Sequence, residues 1–190
     1  MTTEACMRIE PISCSGCPVS QELERSSLVN ASGELLEGAV VSDATQLPFP
    51  DESFDGVFCS NMLEHTPEPE PVFEELERVL RPGGWAWVSW TNWYSPWGGH
   101  EIVPFHYLGP NKGLVVWRRL YGEPRKNVPY DALWPTYVGR TLKMVRRRSG
   151  LRLVDAMPRY WPSQRWILKV PGLREIVTWN CVLVLEKPEA

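Results

Sequence analysis

The chain has 190 residues, 43% of them hydrophobic, enough for one domain with a sizeable core. Its formal charge of −3 and pI of about 5.7 give no global attraction to nucleic acid or to an anionic membrane. No stretch approaches the ~20 apolar residues of a membrane span, and the first twenty residues lack the apolar run of a signal peptide, so a cytoplasmic setting is expected.

From Met1 to Leu36 the sequence is polar, rich in Ser and Glu, and without a clear period. Residues 1–36 are therefore read as a poorly specified leading segment and residues 37–190 as the domain proper. A short helix within Ser20 to Leu36 would have only Leu23, Leu28, Val29, Leu35 and Leu36 as anchors. The five cysteines are odd in number and scattered, which argues against a disulfide framework. Cys14-Ser-Gly-Cys17 has no second C-x-x-C and no leading strand, so no metal site is expected.

Gly38-Ala39-Val40-Val41-Ser42 is a short apolar run closing at Asp43, a buried strand and its turn. Phe54 to Ser60 repeats that pattern after a Pro-rich turn. Between Glu68 and Leu80, Val72, Phe73, Leu76, Val79 and Leu80 recur at helical spacing, with Pro71 tolerable in the first turn and Gly83-Gly84 just beyond the end. Trp85 to Trp90 resumes as a strand, so the order is strand, helix, strand, with a crossover between parallel strands. Residues 91–110, rich in Trp, Gly, Pro and His, carry neither period and read as a long loop of the kind that is often functional. Helices are predicted over 112–121 and 134–149, the second closed by Gly150. Closing strands are predicted over 151–156 and 178–186, separated by a Trp-rich excursion over 160–175.

The run VVSDATQLPFPDESFDGVFCSNMLEHTPEPEPVFEELERVLRPGGWAWVSW, from Val40 to Trp90, resembles the second half of a class I S-adenosylmethionine-dependent methyltransferase, in the group with the pattern D-A-x-x-L-P-F-x-D-x-S-F-D. The resemblance implies an α/β fold: an incomplete Rossmann-like sheet with helices on both faces and a Trp-rich insertion before the closing strands. It also implies S-adenosylmethionine as cofactor. Ligands of open α/β sheets sit at the carboxyl ends of the strands. Ser42, Asp43 and Ala44 are then the adenine-reading positions, the Asp43 carboxylate accepting from the exocyclic amine and the Ala44 amide serving a ring nitrogen. The alternative for Asp43 is to cap the turn over 44–47. Ser60 and Asn61, after the next strand, approach the methionine moiety and its sulfonium, although Asn61 also suits a plain turn.

Three histidines are candidates for proton transfer. His65 follows Glu64 in an E-H pair that resembles one in many relatives, and it suits a turn equally well. His100 and His106 lie in the long loop among Trp93, Tyr94, Trp97 and Tyr107, where they would overhang the methyl-donor pocket or pack as satisfied histidines. His100 is favoured because Glu101 and the flanking glycines suggest a fixed turn. Asp51 and Asp55 read as structural, and Leu80-Arg81-Pro82-Gly83-Gly84 as a sharp return into the strand.

The basic residues from Arg118 to Arg152 read as solvated helix faces rather than a nucleic-acid patch, since aromatics do not interleave with them. Ahead of the matched run the family carries a D-x-G-x-G loop; here the only glycines before Asp43 are Gly16, Gly33 and Gly38, which do not form it. Two functions are expected: methyl transfer to a small or lipid-like acceptor, with a homo-oligomer as one way to complete the sheet, or a truncated, non-catalytic relative acting as an interaction module.

Overall fold

The computed structural model describes residues 42–189. The strand proposed over 38–42, apart from Ser42, the helix over 20–36 and the Cys14/Cys17 pair lie outside the described residues. A four-stranded mixed sheet organises the rest, built from β1 (Phe54–Ser60), β2 (Leu80–Thr91), β3 (Arg152–Pro158) and β4 (Asn180–Glu186) in the order β1-β2-β4-β3. β1 and β2 are parallel, whereas β4 runs antiparallel between β2 and β3. It follows that β1, β2 and β3 all point the same way. Their carboxyl ends share one rim with the amino end of β4.

Strand alternation sorts the side chains into two faces. Val57 and Cys59, Ala86, Val88 and Trp90, and Cys181, Leu183 and Leu185 form the core face. Helix α1 (Glu70–Val79) buries Val72, Phe73, Leu76 and Val79 in that core, and α3 (Val138–Arg148) adds Val138, Leu142 and Val145. The two helices touch each other, and the amide of Gly150, just past α3, donates to Glu77 of α1 at 2.9 Å. Both helices thus serve one face. On the opposite face, Phe58 and Trp87 stack with centroids 4.1 Å apart, and the Arg159 guanidinium lies 5.3 Å from the Trp87 ring. The expectation of helices packed on the sheet is met on the core face by α1 and α3.

The turn from α1 into β2 explains the Arg-Pro-Gly-Gly run. The ladder jumps from Phe54↔Leu80 to Gly56↔Trp85, so residues 81–84 bulge out. Gly83 takes φ +77°, and a Cβ on Gly84 would stand 2.8 Å from the Arg81 carbonyl oxygen. Gly83 and Gly84 also exchange backbone hydrogen bonds with Lys187 at 2.9 and 2.8 Å. Asp51 and Asp55 are structural as expected, paired with Arg78 at 2.8 Å and Arg81 at 2.7 Å.

The segment over 91–110 is not a bare loop. It folds as short 3-10 turns at His100–Ile102 and Phe105–Leu108 and leads into α2 (Pro110–Tyr121). Trp93, Ile102, Leu114 and Leu133 bury one another as a satellite core, with Trp117 and Tyr137 against it. Apolar residues spaced irregularly across three short elements carry no period, which is why the sequence showed only a loop. The predicted helix over 134–149 begins later, at Val138. Glu175 of α4 (Leu173–Val177) caps its first turn, accepting from the amides of Val138 at 2.9 Å and Gly139 at 2.8 Å.

Candidate functional site

The shared rim gathers the residues that follow each strand. Asn61, at φ +52°, turns the chain out of β1, its amide donating to the Ser89 carbonyl at 2.9 Å. Its side-chain oxygen accepts from Asn180 Nδ2 at 2.7 Å, which ties β1 to the start of β4 across β2. Asn180 is 3% exposed, and its own Oδ1 has no partner among the described residues; the same is true of Asn92 Oδ1. Ser60 Oγ receives Arg159 Nη1 at 3.1 Å and lies 3.3 Å from Ser89 Oγ. A rim that carries both orphaned buried oxygens and a guanidinium is suited to a polar ligand with both donors and acceptors.

Arg159 and Asn180 were missed in the sequence. The signal was present, since each sits at a strand terminus, but its value depends on β3 lying parallel to β1 and on β4 being inserted antiparallel.

Asp43 forms an Asx turn: its Oδ1 accepts both the amide of Thr45 at 2.8 Å and the Thr45 hydroxyl at 2.7 Å. Oδ2 takes no hydrogen bond among the described residues, so the capping and ligand readings use different oxygens. Ala44 is buried in the core, and Ser42 is half-buried outside any regular element. Arg78 and Glu75 of α1 fix this turn, Glu75 accepting the Leu47 amide at 2.7 Å and Arg78 donating to the carbonyls of Leu47 and Phe49 at 3.0 and 2.8 Å.

Of the three histidines, the fold brings two together. His65 follows β1 in a 3-10 turn, and its ring meets that of His100 edge to face with centroids 5.5 Å apart. His65 Nδ1 lies 2.7 Å from the Ala132 carbonyl, so it carries the proton and leaves Nε2 free. His100, at φ +48°, has Nδ1 3.4 Å from the Gly98 carbonyl. The turn expected around Glu101 is fixed, its carboxylate accepting from the amides of Arg125 and Lys126 at 3.1 and 2.5 Å.

His106 is fully buried, its Nε2 3.0 Å from the Ser95 carbonyl and its ring against Trp93 and Gly99. That environment packs the ring as the alternative reading has it, but leaves Nδ1 buried without a hydrogen-bond partner among the described residues. Burial depresses the imidazoles of His100 and His106 below the ordinary range; for His100 the charge of His65 adds to the effect.

Glu64 completes the pair's surroundings. Its Oε1 accepts the Thr91 amide at the end of β2 at 2.9 Å, and its Oε2 is buried without a partner. Burial pushes this carboxyl above its ordinary value, opposed by the neighbouring His65. Beside the pair a cleft of about 540 Å³ opens between residues 66–70 and α3, lined among others by Thr66, Pro69, Trp134, Tyr137, Arg140 and Met144. The amide of Trp134 donates to the Glu64 carbonyl at 2.7 Å, joining the cleft wall to the histidine turn.

Residues 12–88 match the family model described as a methyltransferase domain. An uncharacterized methyltransferase of Mycolicibacterium vanbaalenii is 41% identical over 154 residues, covering 77% of this chain and 57% of that protein. A second, from Mycobacterium sp. (strain JLS), is 36% identical over 170 residues, covering 89% of this chain and 65% of that protein. The chain therefore carries a methyltransferase domain match over residues 12–88 and is similar over most of its length to these methyltransferases. Solved methyltransferase structures share the fold. An S-adenosylmethionine-dependent methyltransferase of Mesorhizobium loti superposes with TM-score 0.54 at 20% identity, over 87% of this chain and 78% of that one. One from Thermotoga maritima superposes with TM-score 0.52 at 19% identity, over 88% and 71%. The chain spans about half to two thirds of the length of these curated relatives, at 57% and 65%. Among the described residues no helix is long and apolar enough to cross a membrane.

Proposed function

We propose that the chain takes part in S-adenosylmethionine-dependent methyl transfer to a small, partly apolar or lipid-like acceptor. The observation that carries this reading is the rim itself, where Asn61 meets Asn180, Arg159 meets Ser60 and His65 meets His100; a cleft of about 540 Å³, within the range usual for small-molecule sites, adjoins the histidine turn through Thr66 and Trp134. When bound, the cofactor supplies a sulfonium methyl as the electrophile. Asp43 Oδ2 and the Ala44 amide would hold the adenine, and Ser60 and Asn61 would border the methionine end. The unpartnered oxygens of Asn92 and Asn180 are the sort of buried acceptors that such a polar ligand satisfies.

The acceptor would enter from the cleft, where Trp134, Tyr137 and Met144 offer apolar wall, Arg140, Lys143 and Arg147 a cationic edge, and Glu68 and Glu70 carboxylates. His65 and His100 are the histidines placed to take its proton, whereas His106 supports the loop that carries His100. Catalysis by such an arrangement rests mainly on proximity and orientation.

Calorimetric titration of the purified, folded chain with S-adenosylmethionine and S-adenosylhomocysteine tests this. Saturable binding of both, abolished in Asp43→Ala with the fold intact by circular dichroism, is the expected result. Absence of binding to the folded wild type would overturn the reading in favour of a non-catalytic interaction module.

A further inference from the structure

Glu64, His65 and His100 each present a ligand atom within 4.8 Å of the other two. Two imidazoles and a carboxylate are a donor set suited to a divalent transition metal, with three protein ligands and at least one position left open. We propose that these three side chains form a binding site for a zinc-like divalent cation. The site goes beyond methyl transfer and does not depend on it.

Three features of the structure support the assignment. Glu64 is 2% exposed and its Oε2 has no hydrogen-bond partner, while its Oε1 is anchored by the Thr91 amide. A carboxylate oxygen buried without a donor is costly unless a cation meets it. Next, His65 donates Nδ1–H to the Ala132 carbonyl at 2.7 Å, the outer-shell bond that fixes a ligating imidazole and leaves its Nε2 lone pair available. Finally, His100 is brought to the pair by a chain excursion from the end of β2, held by Glu101 against residues 125–126. Bonds of about 2.1 Å put tetrahedral ligands about 3.4 Å apart, so closing around a metal takes side-chain shifts of about 1 Å. Both histidines are half-buried, which leaves a solvent path to the open position.

If the proposed methyl transfer also holds, the metal-bound histidines no longer serve as proton acceptors, and the open position would instead take an oxygen of the acceptor and make it a better nucleophile by lowering its pKa. That role rests on the function proposed above, but the site does not, and metal binding is read without any turnover.

The test is calorimetric titration of the chelator-treated full chain with zinc chloride, alongside cobalt chloride followed by visible absorption. One equivalent of saturable zinc binding is expected, together with a cobalt spectrum of nitrogen and oxygen coordination that zinc displaces. Glu64→Gln and His100→Gln should each weaken zinc by about tenfold or more with the far-ultraviolet spectrum unchanged. Should either variant fail to fold, the wild-type cobalt spectrum decides alone, because thiolate coordination at Cys14 and Cys17 gives intense charge-transfer bands that imidazole and carboxylate do not. No saturable binding to the folded wild type overturns the site. So do a thiolate spectrum and zinc affinity that survives both substitutions but is lost in Cys14→Ser with Cys17→Ser.

Discussion

Replacing Arg78 by methionine keeps the stem that packs on α1 and removes only the guanidinium. The lost contacts are hydrogen bonds to the Leu47 carbonyl at 3.0 Å, the Phe49 carbonyl at 2.8 Å, Asp51 at 2.8 Å and both oxygens of Glu75 at 2.8 Å. They are unequal. The Asp51 side chain is 77% exposed, so that pair contributes close to nothing, about 0–1 kcal/mol at most. The Glu75 side chain is only 15% exposed and the two carbonyls are partly buried; at about 1 kcal/mol for each of these three partners the loss is about 3 kcal/mol.

Urea unfolding at neutral pH measures it, with Arg152→Met as the control, because the Arg152–Glu186 pair is 63% exposed on the arginine side and its loss should change stability by about 0.5 kcal/mol or less. The pH dependence gives a second, independent check. The Arg78 guanidinium beside Glu75 holds that carboxyl below its ordinary value of 4.5. A depressed carboxyl stabilises the fold above its unfolded pKa and loses that contribution as pH falls through the folded one. The gap between wild type and Arg78→Met should therefore be full at neutral pH and shrink as the pH drops below about 4.5. A gap under about 0.5 kcal/mol, or one indifferent to acid, would refute the claim that Arg78 clamps the turn carrying Asp43.

Gly84→Ala should cost more than Gly83→Ala despite the positive φ of Gly83. A Cβ on Gly84 meets the backbone oxygens of Arg81 and Asp55 at 2.8 and 3.2 Å, whereas the nearest atom to one on Gly83 is 3.7 Å away. Urea midpoints should place the losses at about 2–3 kcal/mol and about 1 kcal/mol respectively, and the reverse order would show that conformational strain outweighs the clash. In a variant with Cys6, Cys14 and Cys17 replaced by serine, Cys59 and Cys181 should resist a thiol-disulfide reagent until the chain unfolds. Both are fully buried and burial pushes the Cys181 thiol up; rapid reaction under native conditions would contradict the packing of β1 and β4.

The elements legible in the sequence were those whose burial repeats. Val72, Phe73, Leu76 and Val79 face the core at helical spacing, and Val57 with Cys59, and Leu183 with Leu185, at strand spacing. The Arg-Pro-Gly-Gly turn was legible too, because positive φ at Gly83 and close backbone contact at Gly84 are demands that few other residues meet. What escaped was the satellite core. Trp93, Ile102, Leu114 and Leu133 come from separate short segments, and their burial is decided by tertiary contact rather than by any local rule. The start of α3 escaped for a similar reason: its cap is Glu175, supplied from another helix.

The site was legible only in pieces, because periodicity locates strand ends without saying which ends are neighbours. Asn61 stood out as a residue that follows a strand, but Asn180 precedes one and joins it only because β4 enters the sheet antiparallel beside β2. Glu64 shows the same dependence. Its carboxylate reaches the Thr91 amide at the end of β2, the strand from which the chain departs toward His100, so one buried acid links the turn after β1 to the loop after β2. Strand order therefore assembles the rim, and the histidine pair inherits its geometry from the β1–β2 register. Any change that slips β1 by one residue against β2 would turn Ser60 toward the core, away from Ser89, and separate Glu64 from Thr91 together.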